Sequence, residues 1–260
     1  MYLPLKRKLP NITSKIPPIA AMAVILLGWE VVSISGIVPS YMLPSPVAVL
    51  TALFGDLPTI LFHAKFTLLE SFYGLLIGIA LAFVFATMMD RFRVMDQAFY
   101  PIMIITQTIP TIAIAPILVL WMGFGMAPKI LTVVLMCFFP VAVSFADGLQ
   151  RVDEEYVHLV RSYGADRWKA YCLVKIPAAL PELFSGLKVA ATYSISGAVV
   201  GEWLGSQKGL GYYLLRVKNS YMLDKVFACV VVIILLSLAM NGLIRVIAKV
   251  SMPYERNKRS

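Results

Sequence analysis

Charge is scarce in this sequence. Only 14% of its 260 residues are Asp, Glu, Lys or Arg, against roughly 25% in a soluble domain. A large soluble domain is excluded, because apolar residues make up 60% of the chain, the mean hydropathy is +0.82 and the apolar residues fall in long runs. Cysteine is scarce too. Cys137 and Cys229 lie in apolar runs and Cys172 in a basic segment, an odd and scattered set of three that makes neither a disulfide framework nor a metal site. There are two histidines, His63 and His158, and no H-E-x-x-H, G-x-S-x-G or G-x-x-x-x-G-K-[ST]. The chain therefore has no catalytic constellation, no metal centre and no phosphate-cradling loop of its own. Acidic residues number 14 against 23 basic ones, a net charge of +9. In a soluble protein that excess would raise nucleic-acid binding. Here the basic residues flank apolar runs, so they fit orientation in a bilayer and contact with anionic lipid headgroups, with no nucleic acid. No segment repeats at a fixed period.

What is present is a series of runs near the ~20 residues that a membrane helix needs. Six are expected, at roughly 19–38, 65–88, 98–121, 127–147, 182–203 and 225–247. The first exceeds the roughly 7–15 residues of a signal-peptide core, so an uncleaved span is expected. The chain divides into a basic N-terminal segment, 1–18, a transmembrane domain, 19–250, and a basic tail, 251–260. With both termini inside, sixteen of the basic residues fall on the inner side and six on the outer, as the positive-inside rule requires. This topology puts the insert 153–181 in the cytoplasm. In the first outer loop Pro44 and Pro46 precede a short surface helix expected from Val47. In the last, Gly201, Gly205, Gly209 and Gly211 stand beside Trp203, Tyr212 and Tyr213, suited to turns and to the lipid–water interface.

The insert, DEEYVHLVRSYGADRWKAYCLVKIPAALP, is polar and helix-forming. Asp153 fits an N-cap, and Tyr156, Leu159, Val160 and Tyr163 then form one apolar stripe. Gly164 fits a left-handed C-terminal cap. Asp166 starts a second helix holding Trp168, Tyr171 and Leu173, which Pro177 and Pro181 are expected to end. Such a stripe either packs on its own bundle or docks on a partner.

Within the spans, Glu70, Gln107, Thr111, Tyr193 and Glu202 are candidates for a translocation path, since intramembrane polar groups are costly. The alternatives are that Thr and Ser bond to their own helices, that Glu70 pairs within the bundle and that Glu202 sits in interfacial water. A proline at 110 or 116 is placed to kink the third span. Gly74 and Gly78, and Gly197, Gly201 and Gly205, have the spacing that lets helices approach closely.

The insert also resembles the cytoplasmic signature of the permease subunits of bacterial binding-protein-dependent ABC importers. That signature reads EAA, three residues, Gly, nine residues, I-x-L-P. Gly164, Ala165 and Pro177 fit it, as do Ala178-Ala179-Leu180-Pro181 and Gly186, whereas His158, Leu159 and Val160 replace the Glu-Ala-Ala. LPSP, PIMIITQTIPTIAIAPILVLWMGFG and GEWLGSQKGLGYYLL extend the similarity over most of the chain. It looks closest to the branch that includes permeases for nitrate, sulfonates, taurine and thiamine-precursor pyrimidines.

The resemblance implies an all-α membrane protein of the type I importer kind, with six transmembrane helices, in the bacterial inner membrane. It implies that Glu154, Glu155, His158, Leu159, Val160, Gly164, Ala165 and Pro177 belong to a coupling helix for cytoplasmic ATP-binding subunits. Those partners would use the ATP and Mg; this chain carries no cofactor and is not an enzyme. An extracytoplasmic solute-binding protein and a permease homodimer are further implied, and the cargo would be a small polar nutrient. A thiamine-precursor pyrimidine is the leading cargo, with sulfonate, taurine or nitrate as alternatives. The competing class is a proton- or sodium-coupled carrier with Glu70 as its titrating group.

Overall fold

A computed structural model describes residues 16–39 and 41–252, and among these every regular element is helical. The basic residues Lys6, Arg7, Lys8, Lys15, Arg256, Lys258 and Arg259 lie outside the described residues. The helices are α1 (Ile16–Ile34), α2 (Pro46–Gly55), α3 (Leu57–Arg91), α4 (Arg93–Gln107), α5 (Thr111–Met122), α6 (Ala127–Gln150), α7 (Glu154–Ser162), α8 (Arg167–Ala170), α9 (Ile176–Glu202), α10 (Leu210–Asn219) and α11 (Leu223–Ser251). A π-helical turn, Tyr171–Lys175, joins α8 to α9. Among the described residues, five helical stretches are long and apolar enough to cross a bilayer, or six when α4 and α5 count as one broken span.

The chain forms two compact units. One runs to Leu57 and includes Val217–Ala228; the other holds Pro58–Arg216 and the residues from Cys229. In the first, α1 is apolar all round and exposed, which suits lipid. Its Trp29 Nε1 donates to Pro44 O at 3.0 Å and its Ser33 hydroxyl to Leu43 O at 2.9 Å, fixing the loop that leads into α2. The surface helix expected from Val47 is α2. Ser45 caps it by accepting from Ala48 N, and Pro46 fills the first turn, where a missing N–H costs nothing. Lys225 pairs with Asp56 at 3.2 Å.

In the second unit, α6 and α9 form the centre, buried through small side chains such as Ala142, Ala146, Ala190, Ala191 and Ala198 around Phe145. Glycines make this closeness possible. A Cβ on Gly186 would meet Pro140 O and Ser144, one on Gly197 would meet Val133 and Met136, and one on Gly201 would meet Lys129. From α3, Gly74 and Gly78 seat against Val133 and Cys137 of the same α6 face. With little hydrophobic drive between helices in lipid, such backbone approach is the main source of packing energy. Gly205 is no part of this ridge, because it lies in a turn with φ +68 and faces Phe124.

Four expectations need correction. The third span is not one helix over 98–121, because α4 and α5 are bent by 101° at Thr108–Pro110. Pro110 lacks the N–H that would continue α4, and Thr108 N–H turns back to Ile105 O at 3.0 Å. Pro177 and Pro181 do not end the second insert helix. The helix widens instead, with Ile176 N–H donating to Tyr171 O, five residues back, and runs on into α9 without a break. Tyr213 is no interfacial anchor, since it is buried beneath His63, with ring centroids 5.5 Å apart. The second span is also longer than 65–88. The 35 residues of α3 extend for about 52 Å, well past the ~30 Å hydrocarbon layer.

Candidate functional site

The chemistry-bearing residues gather in three places. The first is a buried polar network where α3, α6, α9 and the start of α10 meet. His63, Thr67 and Glu70 stand at i, i+4 and i+7, one face of α3, and all three are buried. Glu202, at the end of α9, accepts from the Thr67 hydroxyl at 2.7 Å and from Gly211 N–H at 2.6 Å. Thr67 Oγ1 accepts from Leu210 N–H at 2.8 Å, and His63 Nδ1 accepts from Gly209 N–H at 3.1 Å. The first amides of α10, which no intrahelical carbonyl can satisfy, are thus held by side chains of two other helices. The Glu202 carboxylate also lies at the positive end of the α10 dipole.

Glycine is required here. Gly209 has φ +106, and a Cβ on it would fall on the Glu202 carboxylate; one on Gly211 would strike Val199 O. Beside this network, buried Lys129 donates to Glu70 Oε1 at 2.9 Å and to Ser206 Oγ at 2.7 Å, tying the 203–209 loop to α6 and α3. Phe66, Glu70, Lys129 and Lys208 line an open cavity of about 730 Å³.

The second place is the α4–α5 break. Gln107, Thr111 and Tyr193 line one cavity of about 360 Å³, with Thr106, Met136 and Phe139. Thr106 and Thr108 turn their hydroxyls onto their own helix, to Ile102 O and Ile105 O. Gln107, Thr111 and Tyr193 are left as side chains facing the cavity that make no hydrogen bond among the described residues.

The five candidate path residues therefore do not share a site. Gln107, Thr111 and Tyr193 come together, Glu70 lines the other cavity, and Glu202 lines neither. Nor does Glu202 sit in interfacial water. It is buried, and its two oxygens hold Thr67 and the start of α10.

The third place is the insert. Asp153 caps α7 by accepting from Glu155 N–H at 2.9 Å, and Asp166 caps α8 by accepting from Lys169 N–H at 2.7 Å. Gly164, at φ +91, ends α7. Gly164 N–H bonds Arg161 O and Ala165 N–H bonds Val160 O, a paired closure that satisfies the last carbonyls. No residue of α7 is buried: Tyr156 is 63%, Leu159 54% and Tyr163 85% exposed. Glu154, Glu155 and His158 are exposed with them, and Pro177 lies half-buried in the first turn of α9. Tyr156, Leu159 and Tyr163 therefore stand clear of the chain's own bundle, whereas Val160 of the same stripe is half-buried.

Sequence reasoning missed Lys129, Thr67 and Ser206. Lys129 is one of the six basic residues that the expected topology counts on the outer side, and the available signal was the helical spacing of polar residues along α3. No cluster of metal-ligating side chains occurs among the described residues.

Residues 74–250 match the family model described as "Binding-protein-dependent transport system inner membrane component". A Haemophilus influenzae protein described as "Probable ABC transporter permease protein" is 37% identical over 86% of this chain and 91% of its own. The formylaminopyrimidine transport permease protein ThiX of Halalkalibacterium halodurans is 32% identical over 93% of this chain and 96% of its own. Among solved structures, an amino acid ABC transporter with histidines superposes with a TM-score of 0.62 over 76% of this chain and 97% of that chain. Its identity is 15%, so it shows the fold alone. These matches give no support to the ion-coupled carrier class. The chain belongs to the binding-protein-dependent inner-membrane transport components: it is a multi-pass, all-helical permease subunit of an ABC importer of type I fold, and not an enzyme.

Proposed function

We propose that two copies of this chain form the translocation path and that α7 of each is the coupling helix for a cytoplasmic ATP-binding subunit. The observation that carries this reading is the exposed stripe of Tyr156, Leu159 and Tyr163 on a helix capped at both ends. An amphipathic helix laid into a groove is a standard mode of protein recognition. Glu154, Glu155, His158, Val160, Gly164, Ala165 and Pro177 frame that contact. Both termini face the cytoplasm, in keeping with the basic residues at the inner ends of the spans. The partner subunits use ATP and Mg, and a solute-binding protein delivers cargo on the opposite face. The cargo is a small polar nutrient that passes Gln107, Thr111 and Tyr193. A thiamine-precursor pyrimidine is the preferred member, supported by the formylaminopyrimidine name of a 32% identical relative; sulfonate, taurine or nitrate in the same role is the second reading.

The test is co-purification of the tagged chain with ATP-binding subunits encoded in its own operon, comparing wild type with Gly164→Pro. Recovery with wild type and loss in the variant is the expected result. Equal recovery with both overturns the role of α7. Uptake of labelled formylaminopyrimidine into vesicles, competed by taurine and nitrate, then separates the cargo readings.

A further inference from the structure

Behind α7 lies a cavity of about 610 Å³ that the coupling role does not use. Its basic lining comes from several elements: Arg91 from the end of α3, Arg161 from the end of α7, Arg167 from the start of α8 and Lys175 from the π-helical turn. Only Lys175 is neutralised, by Asp90 at 2.7 Å. The three arginines make no ion pair among the described residues. All three arginines are exposed, and Arg91 also lies over the Phe92 ring at 5.6 Å, but separate elements bring their like charges to the lining of one concavity, where they repel one another. An anion between them removes the repulsion, and the planar fork of arginine matches phosphate oxygens in pairs.

Apart from Thr87 and the Asp90 that pairs with Lys175, the rest of the lining is apolar and aromatic. Met88, Phe92, Trp168 and Tyr171 complete the wall, with Trp168 and Tyr171 stacked at 13°. Trp168 is 71% exposed, and one turn before Met88 the exposed Val84 continues an apolar strip along α3. A polar anion flanked by an apolar strip is the outline of an amphiphile. Arg91 closes the 35-residue α3, at the end where the distribution of basic residues places the inner leaflet and its anionic lipids.

We propose that this cavity holds the phosphate group of an anionic phospholipid, with Arg91, Arg161 and Arg167 as donors and the acyl chains along Val84 and Met88. Val157 and Arg161 line the cavity, whereas Tyr156, Leu159 and Tyr163 do not. At 100° per residue the two sets lie about 150° apart around α7. The lipid therefore sits behind the coupling helix while the exposed stripe stays free. Occupancy braces the helix against α3 and makes its position sensitive to the inner leaflet.

The site is tested by binding alone, so the outcome is independent of the ATPase and cargo readings. The full chain is purified in detergent from mixed phosphatidylglycerol and phosphatidylcholine bilayers, delipidated stepwise and examined by native mass spectrometry. Equilibrium dialysis against labelled inorganic phosphate is run in parallel on the lipid-free protein. Wild type is expected to keep one phosphatidylglycerol per chain in preference to phosphatidylcholine. Arg91→Gln/Arg167→Gln is expected to weaken that binding about ten-fold or more, the effect of losing one or more charge-assisted hydrogen bonds. Arg91→Lys/Arg167→Lys, which keeps the charge, should recover part of it. Saturable phosphate binding without retained lipid, lost in the same Gln variant, supports the phosphate site and assigns it to a soluble source. Equal retention of the two lipids with no phosphate binding, or binding unchanged in the Gln variant, overturns the proposal. Unchanged elution volume and thermal midpoint show that the variants are folded.

Discussion

The Lys129 ammonium lies 2.9 Å from Glu70 Oε1, and both side chains are sealed from solvent, 9% and 1% exposed. Lys129 also holds Ser206, and Glu202 lies within electrostatic reach of Glu70. Removing Lys129 leaves two buried carboxyls facing one another. Lys129→Met is expected to cost roughly 3–5 kcal/mol, the usual penalty for orphaning a buried charge. Lys129→Met with Glu70→Leu should recover most of that loss, because an apolar pair of similar volume is often neutral. Thermal midpoints of the wild type, both single variants and the double variant in one detergent check this. A double variant as unstable as Lys129→Met alone would refute it.

Thr67 donates to Glu202 and accepts from Leu210 N–H, so its hydroxyl bridges α9 and the start of α10. Thr67→Val keeps the shape and removes both bonds. About 1–3 kcal/mol is expected for each buried group left unsatisfied, with proteolysis in the 203–209 loop rising accordingly. Thr67→Ser should behave like wild type. Gly209→Ala should resemble Thr67→Val, because its Cβ would displace the Glu202 carboxylate.

Gly164 ends α7 at φ +91 and has open space around it, so packing does not decide what is tolerated there. Gly164→Ala pays backbone strain alone, roughly 1–2 kcal/mol, while Gly164→Pro cannot reach a positive φ at all. Asp153→Ala, at the other end of α7, should cost about 1 kcal/mol as a lost N-cap. Hydrogen exchange of the α7 amides is the measurement. It should quicken in the order Asp153→Ala or Gly164→Ala, then Gly164→Pro, with α6 and α9 amides unchanged.

The insert was legible because its signals are local. A cap, a stripe and a glycine within about three turns specify a helix and its ends. The apolar runs of α1, α3, α6, α9 and α11 were legible for the same reason. The buried polar network was not, because its partners lie 59, 135 and 143 residues apart in sequence. Nothing in the order of residues pairs Lys129 with Glu70 or Thr67 with Leu210; only the packing of α3 on α6 and α9 does. The α4–α5 bend was half legible. Pro110 marked the place, but a proline in a span is compatible with a mild kink, and the full 101° depends on the chain turning back at Thr108. At Pro177 the proline was visible and its accommodation by a π-helical turn was not.

Gln107 and Tyr193 face the 360 Å³ cavity beside that bend, and neither side chain makes a hydrogen bond among the described residues. Their contribution to stability is therefore small, as both side chains are exposed. Gln107→Ala and Tyr193→Phe are expected to leave the thermal midpoint within about 0.5 kcal/mol of wild type, as at other sites without buried partners. Each removes a polar group that would contact the passing solute, worth ~1 kcal/mol, so uptake should fall about five-fold. Glu202→Gln provides the contrast. Gly211 N–H and the Thr67 hydroxyl both donate to its carboxylate, and the amide offers one oxygen in place of two. That change should lower the midpoint and the uptake together. Measuring both quantities on all three variants in the same reconstituted vesicles separates residues of the path from residues of the frame. If Gln107→Ala and Tyr193→Phe lose stability in proportion to uptake, the cavity is structural and the path runs elsewhere.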